Sequence, residues 1–126
     1  MVEIRLSARC FPTENRGDIV EAIIRLFPDA EIEGDDPIVA RSASVDAFGD
    51  ALRRYRIRDA ARAVMRRGKE GNSTSFLLNK QVAAIGKVSF SEENHPLGDI
   101  EITITSDNID ELIDSIAPNT RMEKHI

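Results

Sequence analysis

Two segments of this 126-residue chain alternate strictly between apolar and polar residues, and this pattern constrains the fold more than any other feature. In Val2 to Cys10 every even position is apolar, and charged or hydroxyl side chains stand between them. In Asp99 to Thr105 the apolar positions are Ile100, Ile102 and Ile104. A period of two is typical of a strand with one buried and one solvated face. The chain therefore predicts a sheet that is covered on one side only.

Helical periodicity occupies much of the chain between and after these strands. Apolar residues recur at helical spacing in 19–27, in 45–67 and in 109–116. The predicted N-caps of these helices are Thr13, Ser44 and Asp107. Gly68 is the predicted C-cap of the second region, which is either one helix or two helices broken near Arg56. These helices supply the apolar faces that cover the sheet.

The order of the elements predicts the fold class. Residues 30–41 form a hairpin around the turn Gly34-Asp35-Asp36-Pro37, and residues 87–90 alternate as a further strand. Strands with charged outer faces favour antiparallel pairing. We therefore expect a two-layer α+β domain, with a mainly antiparallel sheet of four to five strands and helices packed on one face. A single domain is expected over 1–118, with a flexible tail at 119–126.

Composition bounds the location of the protein. The longest apolar runs fall far short of the roughly 20 residues of a membrane span, and the N-terminus has no signal-peptide core. Cys10 is the only cysteine, so an intramolecular disulfide is excluded. These features favour a cytoplasmic protein without a membrane partner. The net charge of −5 also argues, on first reading, against a nucleic-acid partner.

That net charge conceals a strong asymmetry along the chain. Residues 53–69 contain eight basic residues and one acidic residue, a formal charge of +7, so the remainder carries −12. Arg54, Arg58, Arg62 and Arg66 recur every four residues, and on one continuous helix they would form a stripe about 18 Å long. Arginine suits bidentate contacts to phosphate oxygens. The same spacing is equally typical of a solvated helix face, or of one paired with acidic residues of the same fold.

Patterns that indicate catalysis or metal binding are weak. The two histidines, His95 and His125, are not spaced as a ligand pair, and the carboxylate pairs occur in turns. The run Gly68 to Thr74 has the letters of a phosphate loop in the wrong order and follows a helix. We therefore expect no enzyme, no cofactor and no metal. A small enzyme that acts on a phosphorylated ligand near Lys69, Lys80 and Lys87 stays the minority alternative.

The run from Asn72 to Phe90 resembles a characteristic segment of an uncharacterised archaeal protein family. The similarity also includes Phe11-Pro12-Thr13-Glu14, Leu26-Phe27-Pro28-Asp29 and Pro96-Leu97-Gly98, and extends over about residues 2–120. Members of that family are described as RNA-binding proteins, with a fold similar to the ribosomal protein that holds the five-S RNA of the large subunit. The resemblance implies this fold and RNA as partner, and it carries over no catalytic residue.

These observations together predict a non-enzymatic RNA-binding protein. The predicted contacts are Arg54, Arg58, Arg62, Arg66, Arg67, Lys69, Asn79, Lys80 and Gln81. The arginines would contact phosphates, and the Asn79-Lys80-Gln81 segment would read RNA edges or the 2′-hydroxyl. A structural interpretation of the same segment makes Asn79 the cap of a strand-to-helix turn. The main rival function is a structural or protein-interaction module, such as a homodimer whose arginines pair with an acidic face of the neighbour.

Overall fold

The computed structural model describes residues 1–91 and 98–118, whose strands form one antiparallel sheet. The strands are β1 (Val2–Ala8), β2 (Glu31–Glu33), β3 (Ile38–Ser42), β4 (Lys69–Glu70), β5 (Ser73–Asn79), β6 (Phe90–Ser91) and β7 (Asp99–Ser106). Their order is β2-β3-β1-β7-β5-β4, and β6 also pairs with β5. The α+β class is confirmed. The described part of the sheet has seven strands instead of four to five. β4 has two residues and is too short to alternate visibly. The strand predicted at 87–90 is wrong except at its last residue, since β6 spans only Phe90–Ser91.

The two alternating segments pair with each other at the centre of the sheet. Ile4 of β1 lies opposite Ile104 of β7, and Leu6 lies opposite Ile102. All four side chains are buried, whereas Arg5, which points to the other side, is exposed. One face of the sheet therefore carries the core and the other is open to solvent, as the alternation predicts.

Five helices lie among the described residues and bury their apolar sides with the inner face of the sheet. They are α1 (Arg16–Leu26), α2 (Asp46–Arg54), α3 (Arg58–Arg67), α4 (Lys80–Ala84) and α5 (Ile109–Ile116). Phe48 of α2 stands at the centre of this core, with its ring 5.5 Å from that of Phe27 and 5.8 Å from that of Phe76. Stacked rings at this spacing stabilise a core beyond the area that they bury.

The predicted start of α1 is wrong by two residues. Asn15, and not Thr13, is the N-cap, and its Oδ1 accepts a hydrogen bond of 2.8 Å from the Gly17 amide. Both residue types cap helices well, so spacing alone does not choose between them.

The other two predicted N-caps are displaced by one residue. Val45 and Asn108 occupy the cap positions of α2 and α5, in place of Ser44 and Asp107. Ser44 nevertheless accepts a hydrogen bond of 3.3 Å from the Asp46 amide through its Oγ. Gly68 is the C-cap of α3, as predicted.

The basic region 45–67 forms two helices. α2 ends at Arg54, α3 begins at Arg58, and Arg56 between them has a φ of 57°. A residue in the left-handed region cannot continue a right-handed helix, so the chain turns here. Of the two interpretations of this region, that of two helices broken near Arg56 is confirmed, and the stripe of about 18 Å on one continuous helix does not form. Arg54 belongs to α2, and the other three arginines of the series belong to α3.

Some of the predictions lie outside the described residues. They concern the loop with His95, within 92–97, and the tail with His125, within 119–126. Over the rest of the chain, the helices are too short and too polar to cross a bilayer.

Candidate nucleic-acid interface

The arginines at the centre of α3 face the acidic side of α5. Arg62 Nη1 lies 2.6 Å from Asp114 Oδ1 and donates a second hydrogen bond of 3.1 Å to the Ala117 carbonyl. Arg66 bridges two carboxylates, at 3.2 Å from Asp110 and 3.4 Å from Asp114. The hydrogen bond from Arg62 holds the pKa of Asp114 below its ordinary value. These two predicted phosphate ligands therefore join α3 to α5 in the same chain.

The other basic residues among the predicted RNA contacts have different surroundings. Lys69 Nζ continues the network, 3.1 Å from Asp110 Oδ1, and Arg67 is exposed in the last turn of α3. Arg58 lines a cavity together with Asp46 and other residues of α2, whereas Arg54 lines a different one. The structure thus joins Lys69 to the network with α5 and places Arg54 and Arg58 at two different cavities.

The Asn79-Lys80-Gln81 segment closes the turn from β5 into α4. Asn79 is the N-cap of α4, and its Oδ1 accepts a hydrogen bond of 3.0 Å from the Val82 amide. The structural interpretation of Asn79, as the cap of a strand-to-helix turn, is therefore confirmed. Gln81 is exposed on the first turn of α4. The three side chains therefore point into different surroundings and do not present one polar reading edge.

Lys80 lies in the interior and is not available to a ligand at the surface. Its side chain is 1% exposed, and its Nζ donates hydrogen bonds of 2.8 Å to Glu14 Oε1 and to the Arg9 carbonyl. The ammonium also lies 5.2 Å from the centre of the Phe11 ring. A buried ammonium needs such partners because leaving it unpaired is costly. The expected contact between Lys80 and RNA is therefore replaced by a structural ion pair.

A basic cavity lies where α1, α2 and the turn after α4 meet. We use this name for the cavity lined by Arg25, Arg54, Tyr55, Gly86 and Lys87. Its inner wall is apolar and consists of Ala22, Leu26, Ala47, Ala51, Ala83 and Val88. No acidic side chain among the described residues lines it. Three cations thus surround an apolar wall in a protein of net charge −5.

Two hydrogen bonds fix the walls of the basic cavity. Tyr55 Oη donates to the Gly86 carbonyl at 2.7 Å and connects α2 to the turn after α4. Arg25 Nη1 donates to the Ala83 carbonyl at 3.1 Å and connects α1 to α4. Gly86 has a φ of 87°, which favours glycine at this turn. In residues 1–91 and 98–118, no carboxylate lies within ion-pair distance of Arg54 or Lys87. Both charges can therefore attract an anion.

Only Arg54 of the basic cavity was among the predicted contacts. Arg25 was missed because it is one basic residue in an apolar helix pattern, and Lys87 was named only for the enzyme alternative. The three cations are separated by 29 and 33 positions in the chain, and only the tertiary fold brings them to one cavity. No signal of local sequence spacing could have grouped them.

The three lysines of the enzyme alternative have different neighbours. Lys87 lines the basic cavity, Lys80 is buried against Glu14, and Lys69 pairs with Asp110. A phosphorylated substrate held by all three is therefore not supported by their positions.

Known proteins similar to this chain come from archaea. A UPF0201 protein of Methanothermobacter thermautotrophicus is 35% identical over all of this chain and 98% of its own length. A UPF0200/UPF0201 protein of Archaeoglobus fulgidus is 37% identical over 95% of the chain, which spans only 38% of that longer protein. The crystal structure of a UPF0201 protein from Methanococcus jannaschii has a TM-score of 0.84 at 34% identity, with 93% of each chain covered. No family model matches the chain.

Proposed function

This chain belongs to the archaeal UPF0201 family, and because that name states no activity we propose its function from its own surface. We propose that it is a non-enzymatic, cytoplasmic RNA-binding protein whose phosphate contacts lie at the basic cavity. The observation that carries the proposal is the convergence of Arg25, Arg54 and Lys87 on one cavity, with no carboxylate in its lining among residues 1–91 and 98–118. Polyanions are drawn to such a local positive field even when the whole protein is acidic.

The acidic residues elsewhere in the protein support RNA binding at the basic cavity and not at its other surfaces. Asp110 and Asp114 of α5 pair with Arg62, Arg66 and Lys69 and reduce their combined charge from +3 to +1, so that side of α3 attracts a phosphate backbone less than its basic residues suggest. The open face of the sheet carries Glu3 and Glu101 beside its arginines. The weaker attraction at these surfaces leaves the basic cavity as the favoured contact.

The resemblance to a family described as RNA-binding supports RNA over other polyanions. The sequence argument for a homodimer, in contrast, relied on an acidic partner surface for the arginines. Asp110 and Asp114 of the same chain supply acidic partners for Arg62 and Arg66. We therefore rank RNA above a second copy of the chain as the partner.

A salt titration of single-stranded RNA binding tests this proposal. Each phosphate contact contributes a slope of about −0.7 to the logarithm of affinity against the logarithm of salt concentration. Contacts at the basic cavity therefore predict a negative slope for the wild type, and Arg54→Ala/Lys87→Ala should bring the slope closer to zero. The matched control is Arg5→Ala/Arg41→Ala, which removes two charges from the open face of the sheet.

The control separates local contacts from total charge. If the two double variants weaken binding equally, net charge and not the basic cavity governs the affinity. Absence of RNA binding by the wild type at low salt would refute the function itself. Arg62→Ala/Arg66→Ala should leave the slope unchanged, because these residues are engaged with α5.

A further inference from the structure

The size of the basic cavity limits the group that it can hold. Its volume is about 70 Å³. A cavity needs about 10–15 Å³ to hold one water, so this cavity has room for a small group but not for a large one. A phosphate group, with one phosphorus and four oxygen atoms, fits this space. A purine base, with nine ring atoms and its ribose attached, does not.

The size and the walls of the basic cavity favour the end of an RNA strand over an internal position of that RNA. Its apolar inner wall includes Leu26 and Ala51, both buried. The hydrogen bond from Tyr55 to Gly86 and that from Arg25 to Ala83 join the elements around it. An internal phosphodiester carries a nucleoside on both sides, and both would have to find room around this small cavity. A terminal phosphate carries a nucleoside on one side only.

The positive charge of the cavity also favours a terminal phosphate. A phosphate monoester carries a charge of about −1.5 to −2 at pH 7, whereas an internal phosphodiester carries a single negative charge. Arg25, held by its hydrogen bond to Ala83, keeps further N–H donors for a planar contact to phosphate oxygens. Arg54 and Lys87 add two exposed positive charges, and no carboxylate lines the cavity among the described residues. Three cations therefore match a dianion better than a monoanion.

We infer that the basic cavity binds the terminal phosphate of an RNA strand. This inference rests on the RNA binding proposed above and specifies its substrate class. The protein then recognises RNA by a phosphorylated end, whatever its sequence, with the strand leading away over the exposed surface. The chemistry is shared by a 5′-phosphate and a 3′-phosphate, and the experiment below distinguishes them.

The test compares unlabelled RNA oligonucleotides of one sequence as competitors for a labelled RNA bound to the full chain. One carries a 5′-phosphate, one a 3′-phosphate, and one has hydroxyl groups at both ends. A fourth, one nucleotide longer with hydroxyl ends, controls for the added charge. We expect one of the two phosphorylated ends to compete at least tenfold better than both hydroxyl-ended oligonucleotides. Arg54→Ala/Lys87→Ala should abolish this preference, and Arg5→Ala/Arg41→Ala should retain it.

The outcomes separate this inference from the function on which it rests. Equal competition by all four oligonucleotides would overturn the recognition of an end and leave RNA binding intact. A preference that survives in Arg54→Ala/Lys87→Ala would overturn the assignment to the basic cavity. If no RNA binds at all, both the inference and the proposed function are wrong.

Discussion

Replacing Lys80 by methionine should destabilise the protein strongly, because its ammonium is one half of a buried ion pair. The variant retains most of the aliphatic volume but leaves Glu14, whose side chain is 13% exposed, without its cation. It also removes the hydrogen bond to the Arg9 carbonyl. Breaking a buried pair by removing one partner costs about 3–5 kcal/mol. Since Glu14 Oε1 keeps the Phe11 amide as a donor at 3.1 Å, we expect the lower end, about 3 kcal/mol.

Urea unfolding followed by circular dichroism measures this loss. For a chain of this length, 3 kcal/mol also lowers the Tm by roughly 10 °C. Lys87→Met is the matched control, since Lys87 is exposed and its replacement should change the free energy of unfolding by less than about 0.5 kcal/mol. Equal stability of Lys80→Met and the wild type would refute the structural role of Lys80. RNA affinity that falls in folded Lys80→Met but not in Lys87→Met would restore Lys80 as a contact.

Three further predictions concern the core, the α3–α5 contact and the close approach of α3 to β5. Phe48→Ala should lower the free energy of unfolding by about 3–5 kcal/mol in a urea titration, because the ring is fully buried between two others. Arg62 lowers the pKa of Asp114, so this pair stabilises the fold above pH 3.8, and the stabilisation is lost as the pH falls through the lowered pKa. Asp114→Asn should therefore reduce the acid dependence of the free energy of unfolding, and an unchanged profile would contradict the pairing. Gly68→Ala should cost about 2 kcal/mol or more in thermal unfolding, because a Cβ there would lie 2.0 Å from the Ser75 carbonyl oxygen; a wild-type Tm would disprove this close contact.

The alternating strands and the helix faces could be predicted from the sequence because each depends on local periodicity. Ile100, Ile102 and Ile104 are at most 1% exposed, as their spacing indicates. A break near Arg56 was one of two interpretations of the sequence, and the pattern could not choose between them, because the break depends on the backbone of Arg56 and on the packing of two helices at a corner. Arginine also tolerates the interior of a helix well, so its identity gave no signal for a turn.

The candidate interface was harder to predict than the fold. A run of basic residues shows where charge is concentrated, but not which charges the fold neutralises. Asp110 and Asp114, which pair with Arg66 and Arg62, stand more than 40 positions along the chain from their partners. The same tertiary folding brings Arg25 and Lys87 to Arg54. Sequence spacing therefore identified Arg54 as an RNA contact in the cavity. It also counted Arg62 and Arg66 as phosphate contacts, although the fold pairs them with α5.

Mapping the RNA contact by nuclear magnetic resonance tests the central claim most directly. In a titration of the isotope-labelled protein with single-stranded RNA, we expect the largest amide shift changes around Arg25, Arg54, Gly86 and Lys87. The amides of Arg5 and its neighbours on the open face of the sheet should stay unchanged. Shift changes confined to that open face, or no changes at low salt, would contradict RNA binding at the basic cavity.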